Sequence, residues 1–205
     1  MKRTVKKGRH WSWPFSIKRL LGNSHTFTVR AEKPDMWKYE FPPIAKLGKA
    51  VTTTEDGLQI IRHPLEFKHN PNQWDWNKLV GIKKNLLQPR KNSVMIGWRY
   101  NPVNDCVEFV PYWHDENGGA HFEYEPLIIP CSRVNRSFEL NIQFRNSSVT
   151  LIAVNRDTYG VDFIESRFWD LPQNAYMKSG WLITHWFGGQ MKAIKDIVMN
   201  FKYST

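Results

Sequence analysis

Several stretches of this chain alternate apolar and polar residues with a period of two, the mark of half-buried strands. Val94, Ile96, Trp98 and Tyr100 alternate with Ser93, Met95, Gly97 and Arg99. Asn101-Pro102-Val103-Asn104-Asp105 then has turn chemistry, because Pro fixes φ while Asn and Asp tolerate tight bends. The chain returns through Val107, Phe109, Pro111 and Trp113, interleaved with Glu108, Val110, Tyr112 and His114, so residues 92–114 read as one β-hairpin. The cleanest alternation sets Phe138, Leu140, Ile142 and Phe144 against Glu139, Asn141, Gln143 and Arg145. Asn146-Ser147-Ser148 turns that strand into residues 149–154.

Further strands are expected over 26–30, 60–68, 121–129, 161–168, 180–187 and 197–203, with a short one over 37–41. Pro34, Pro42, Pro43 and the Thr52-Thr53-Thr54 run make the surroundings of that short strand mostly loop. Asp75 is placed as an N-cap for a short helix or aromatic loop over 76–79. Regular turn signals and the lack of a long helical pattern predict an all-β fold, an antiparallel two-sheet β-sandwich or jelly roll.

Charge divides the 205-residue chain unevenly. Of its net +10, residues 1–33 carry +8, from nine Lys or Arg against Glu32 alone; the remainder, with twenty basic and eighteen acidic residues, carries +2. We therefore expect residues 1–25 to form a basic arm (Lys2, Arg3, Lys6, Lys7, Arg9, Lys18, Arg19) and residues 26–205 the sandwich. Such an arm suits phosphate, on nucleic acid or anionic lipid; the bland alternative, which charge alone favours, is a solubilising tail or a basic edge strand.

No apolar run reaches the roughly 18 residues of a membrane span, and the basic start leads into Trp-Ser-Trp-Pro instead of a secretory apolar core. The expectation is synthesis in the cytoplasm without a signal peptide. Cys106 and Cys131 can pair only if their strands are neighbours, and otherwise act as small buried hydrophobes. Without a Cys-x-x-Cys pair and with scattered His, no metal or cofactor is expected.

Two constellations are candidate sites. If Val94, Ile96, Trp98 and Phe138, Leu140, Ile142 point inward, the opposite face carries Arg99, Glu108, Tyr112, His114, Asn141, Gln143 and Arg145. Those side chains suit gripping a sugar carboxylate or moving a proton beside it; the alternative is a solvated face with cross-strand pairs such as Arg99 with Glu108. Trp74 and Trp76, two apart, form a stacking platform for a glycan or base if the chain is extended there, and otherwise anchor a loop. Of Tyr112 and Trp113 one should be inside; His63 and His185 read as core histidines. Gly188-Gly189 reads as a turn and not a phosphate loop.

The closing stretch Trp186-Phe187-Gly188-Gly189, with Lys192-Ala193 and Asp196-Ile197, resembles the final strands of concanavalin A-like jelly rolls of the lectin, glucanase and lyase kind. Trp74-Asp75-Trp76-Asn77-Lys78-Leu79, Lys91-Asn92-Ser93-Val94, Gly97-Trp98-Arg99-Tyr100-Asn101 and the element from His10 to Pro14 are similar to small uncharacterised proteins of gut Bacteroidetes and their crAss-like phages. The first resemblance implies a jelly roll. The second implies a phage-linked protein without implying an activity. A jelly-roll glucanase would carry a Glu-x-Asp-x-x-Glu strand, which Glu123-Tyr124-Glu125 does not supply. A jelly-roll alginate lyase would carry Gln-Ile-His, where Asn141-Ile142-Gln143-Phe144 has Phe at the His position. No Asp/Asn/His cluster of the legume-lectin type is present.

Together these readings give a non-enzymatic binding or assembly protein, a bacteriophage virion component or a lectin-like glycan-binding module. Its partners would be other virion proteins, itself, or a glycan. The rival classes are a polysaccharide lyase or glycoside hydrolase using Arg99, His114 and Gln143, and a nucleic-acid-binding protein acting through the arm.

Overall fold

The computed structural model describes residues 1–13, 17–41, 51–53, 59–61, 71–134, 138–157, 160–176, 178–187 and 192–204. Its strands are β1 (Lys2–Val5), β2 (Ser12–Trp13), β3 (Arg19–Leu20), β4 (Ser24–Ala31), β5 (Val51–Thr53), β6 (Gln59–Ile61), β7 (Asn77–Lys83) and β8 (Ser93–Asn101). After them come β9 (Cys106–His114), β10 (Ala120–Phe122), β11 (Leu127–Pro130), β12 (Phe138–Arg145), β13 (Ser148–Asp157), β14 (Gly160–Asp170), β15 (Gly180–Ile183) and β16 (Ile197–Ser204).

Two antiparallel sheets face each other. Sheet I runs β14-β13-β12-β4-β16-β1-β2, and sheet II runs β10-β9-β8-β7-β15-β3, with β11 also paired to β9; β5 and β6 form a small separate pair. Among the described residues the one α-helix is a four-residue turn, Cys131–Val134. The chain is an all-β, two-sheet sandwich.

The hairpin is registered as the alternation requires, with Ser93 opposite His114 and Asn101 opposite Cys106. At its tip Asp105 has φ +43°, and Asn146 in the next hairpin has φ +55°, the left-handed region those residue types tolerate. Val94, Ile96, Trp98, Val107 and Phe109 of sheet II meet Phe27, Phe138, Leu140, Ile142 and Phe201 of sheet I in one core. Trp37, on a 3-10 turn over Pro34–Trp37, plugs one end. Its ring lies edge-on to Trp98 at 5.2 Å and to Phe109 at 5.4 Å, a favoured aromatic geometry.

Four expectations change. Residues 1–25 are not an arm: β1 pairs along β16 in sheet I, β3 pairs with β15 in sheet II, and Val5 and Leu20 are fully buried. The basic residues Lys2, Arg3 and Arg19 share these short strands with Val5 and Leu20 and masked them in the sequence. Several arm cations are also engaged, Lys2 with Glu32 at 2.5 Å and Lys6 with Asp196 at 2.7 Å. Residues 37–41 hold no strand beyond the 3-10 turn, and the short helix or aromatic loop expected over 76–79 is, from Asn77 onward, the start of β7. The register of β7 shifts between Lys78 and Gly81, so Leu79 and Val80 are both buried and the period of two is lost. The strand expected over 180–187 stops at Ile183. Most of the strand expected over 60–68, with His63 and the Gly188-Gly189 turn, lies outside the described residues.

Candidate functional site

The seven polar candidates do not share a surface. Arg99, Glu108, Tyr112 and His114 lie on β8 and β9 of sheet II, whereas Asn141, Gln143 and Arg145 lie on β12 of sheet I. Both sets point away from the core, so the sandwich thickness separates them. A constellation of Arg99, His114 and Gln143 is not assembled. A two-residue period tells which side chains share one strand's face; it does not tell which strands share a sheet.

The outer face of sheet I is ordinary: Asn141 accepts from Thr28 Oγ1 at 3.0 Å, and Gln143 and Arg145 are exposed. Sheet II is different. Met95, Trp186 and Ile183 form a second apolar cluster on its outside, with Tyr112 packed against it. Lys78, Ser93, Asn101, Glu108 and His114 are all buried polar residues on or beside that face.

Gln73 holds the approach to this face. Its amide donates to the carbonyls of Tyr39 and Tyr100 at 2.9 and 2.8 Å, and its oxygen accepts from Phe41 N–H at 3.0 Å. That fixes the 3-10 turn Pro71–Trp74 and sets Trp74 at the rim. Trp76 then lies over Gly97, whose missing side chain leaves room: a Cβ there would sit 3.3 Å from Trp76 Cβ.

Arg99 covers the pair of indoles. Its guanidinium carbon is 4.1 Å from the Trp76 ring centre and 5.6 Å from that of Trp74. Nε donates to Glu108 at 2.7 Å and a terminal nitrogen to the Trp74 carbonyl at 3.0 Å, while Asn101 donates to the other Glu108 oxygen at 2.8 Å. The expected Arg99–Glu108 pair is thus present, and Arg99 serves to hold the indoles. Trp76 is 7% exposed and Trp74 37%, so the two do not form an equal platform; Trp76 anchors and Trp74 presents.

The exposed rings continue onto β10 and beyond it. Phe122 stacks parallel on Tyr112 at 6.2 Å and touches Trp76 at 6.1 Å, and Tyr124, 86% exposed, follows at 5.5 Å. Under these rings Lys78 Nζ sits 3.9 Å from the Tyr112 ring centre and donates to the Trp76 carbonyl at 2.6 Å. Burial pushes the Lys78 ammonium down to about 8, with Asp75 opposing and Arg90 adding to the shift. Tyr112 is raised, chiefly by burial, and does not present a phenolate.

His114 is fixed and neutral at pH 7. Ser93 Oγ donates to the Pro89 carbonyl at 2.8 Å, so at 3.1 Å it accepts from His114 Nδ1–H. Burial, then Lys78 and Arg90, hold the imidazole down to about 4. As expected, Trp113 is in the core and Tyr112 outside, and His185 is a buried histidine donating through Nε2 to the Ile197 carbonyl at 3.1 Å.

Sequence reasoning missed Lys78, Phe122 and Tyr124. A lysine between Trp76 and the apolar run Leu79-Val80 was the available signal, and the bulge obscured its phase. Cys106 and Cys131 are free thiols even though β9 and β11 are neighbours. Cys131 enters the core and Cys106 faces Glu108 on the outside at 4.0 Å, so they point to opposite sides of the sheet. Among the described residues no group of three or more His, Cys, Asp and Glu could hold a metal ion. Among the same residues no helix is long and apolar enough to cross a membrane.

No protein-family model matches this chain, and no curated protein does. The similar solved structures include two at 10% identity. One is an alginate lyase from Klebsiella pneumoniae, with a TM-score of 0.44 over 89% of this chain and 60% of the lyase. The other is a functionally unknown protein from Saccharomyces cerevisiae, with a TM-score of 0.43 over 99% of this chain and 87% of that one. The chain thus spans 60% of the lyase's length. Neither likeness bears on activity; the sandwich stands on its own strand pairing.

Proposed function

We propose that this β-sandwich is a non-enzymatic glycan-binding module that lays an acidic saccharide along the outer face of sheet II. One observation carries the reading: the exposed Trp74, Phe122 and Tyr124 are linked through the Arg99 guanidinium and the buried Trp76 ring, above the buried Lys78. Flat rings complement the C–H faces of sugars, and the cations Lys78 and Arg90 favour a ligand bearing carboxylates. His114 is neutral and hydrogen-bonded, and Arg99 is already paired, which supports recognition over proton transfer.

Affinity electrophoresis in gels containing a polyuronate or a neutral glucan tests it. The wild type should be retarded by the polyuronate without releasing unsaturated products or new reducing ends. Trp74→Ala should weaken binding by about tenfold, the equivalent of ~1.4 kcal/mol of stacking, with an unchanged melt. Equal retardation of wild type and variant would remove the rings from the site, and turnover would promote the lyase reading.

Self-assembly, in a virion or otherwise, has its own supporting observation. Strand β14 runs eleven residues at the edge of sheet I and exposes Phe168, and such an edge offers unpaired backbone to a second copy. Light scattering after size exclusion, with Phe168→Lys breaking the multimer, tests that reading.

A further inference from the structure

At the far end of the same sheet face, along the strands from Trp74, lies a cleft of about 370 Å³ that the glycan reading does not use. Its walls are Trp11, Ile17, Leu86, Leu87, Ile183 and Trp186. Trp11 and Trp186 pack at 4.6 Å as one wall. Ile17 and Leu87 form a lip, 74% and 89% exposed. Size and lining match a small-molecule site, mostly apolar with a few placed polar groups.

Polar chemistry enters through Lys83. It lies at the end of β7, opposite Trp181 of β15 and Ser93 of β8, and lines the cleft. Nζ donates to the Leu86 carbonyl at 2.6 Å, which leaves two of its three N–H groups unused by any hydrogen bond among the described residues. No carboxylate is bonded to it there. Apolar walls with one cation at the edge are complementary to a ligand that is anionic at one end and apolar elsewhere.

We propose that the cleft binds a medium-chain fatty carboxylate, with its head on Lys83 and its chain between the Trp11–Trp186 wall and the Leu87 lip. Charge complementarity selects a carboxylate over a neutral amphiphile. Burial already pulls the Lys83 ammonium below the usual lysine range, so an anion would recover the lost solvation. The cleft shares the outer face of sheet II with the glycan surface through Trp186 and Ile183, but its anchoring cation Lys83 is not part of that surface.

Decanoate and decanol, titrated into the full-length protein by calorimetry, test the proposal. Decanoate should bind one to one below about 1 mM, with decanol about tenfold weaker. Lys83→Met keeps the stem and removes the charge; it should lose about tenfold for decanoate and nothing for decanol. Leu87→Glu, at a solvent-exposed position, should weaken both while leaving the melt unchanged. Equal affinity for acid and alcohol, indifference to Lys83→Met, or no saturable heat would each overturn it. So would binding to anionic phosphatidylglycerol vesicles with decanoate silent, since that would make the lip a membrane contact. Polyuronate retardation of Lys83→Met should equal wild type, so failure here is separable from failure of the glycan site.

Discussion

Lys78 should cost this protein stability, and its replacement should reveal how much. Its ammonium is 7% exposed and held down to about 8 from 10.5, mainly by burial. At ~1.36 kcal/mol per pH unit the charged form is disfavoured in the folded state by roughly 3 kcal/mol. Lys78→Met keeps an unbranched stem and removes the charge. The Trp76 carbonyl loses a hydrogen bond at a cost of about 1 kcal/mol, and the contact with the Tyr112 ring loses a further ~0.5–1 kcal/mol. The variant should therefore be more stable than wild type by about 1–2 kcal/mol at pH 7.

The sign of the pH dependence follows from a folded value below the unfolded one. Between about 8 and 10.5 the unfolded chain holds the proton that the folded chain has released, so wild-type stability rises with pH in that window. At pH 9.5 the penalty falls to about 1.5 kcal/mol, a change of roughly 2 kcal/mol that should close the gap to Lys78→Met or slightly reverse it. Urea unfolding of both proteins at pH 7.0 and 9.5, followed by Trp fluorescence, measures it, and other titrating groups cancel in the difference. A variant less stable than wild type by more than about 1 kcal/mol at pH 7, or a gap unchanged with pH, would refute the reasoning.

Four further outcomes are expected. Trp98→Ala, at 1% exposure and in edge contact with Trp37, Tyr39 and Phe187, should lose roughly 3–5 kcal/mol in denaturant melts. Gly81→Ala should be at least as damaging: its Cβ would meet the Val94 carbonyl oxygen at 2.1 Å and Met95 Cα at 2.5 Å, both backbone, and loss of soluble expression or of a cooperative melt would register it. Deleting residues 1–25 should abolish cooperative unfolding by calorimetry, because it removes β1–β3 and bares the edge of β16; a truncated protein with an unchanged melt would restore the arm. Acid should destabilise the wild type as pH falls from about 6.5 toward 4, since His114 and His185 are held down to about 4 and the unfolded chain takes the protons first; the slope of urea midpoints against pH should fall by about half in His185→Phe, His114 supplying the rest.

Strands that alternate without interruption were legible. Phe138–Arg145 and the hairpin of β8 and β9 appear where the pattern puts them, because each has one face in the common core and turn residues at its ends. Strand assembly was not. Sheet I joins β12 to β4 and β4 to β16, pairing residues far apart in sequence, and nothing in a local period encodes that neighbour choice. The N-terminal segment failed for a related reason: two- and four-residue strands are too short for periodicity to outweigh seven basic residues.

The candidate site was half legible, and the reason separates the two outer faces. On sheet I the outward residues Thr28, Asn141, Gln143 and Arg145 obey the rule of apolar inside and polar outside, and they need no explanation beyond solvation. On sheet II the rule breaks: Met95 and Trp186 are apolar and outside the core, while Lys78, Glu108 and His114 are polar and buried. A buried ammonium beneath aromatic rings is held against its own solvation, and sequences retain such conflicts mainly where a site needs them. Arg99 and Glu108 were found because their cross-strand pairing is local; Lys78 escaped because a bulge removed its phase. The face that departs most from its alternation is therefore where we propose that binding occurs, and the cost of Lys78 measures how large that departure is.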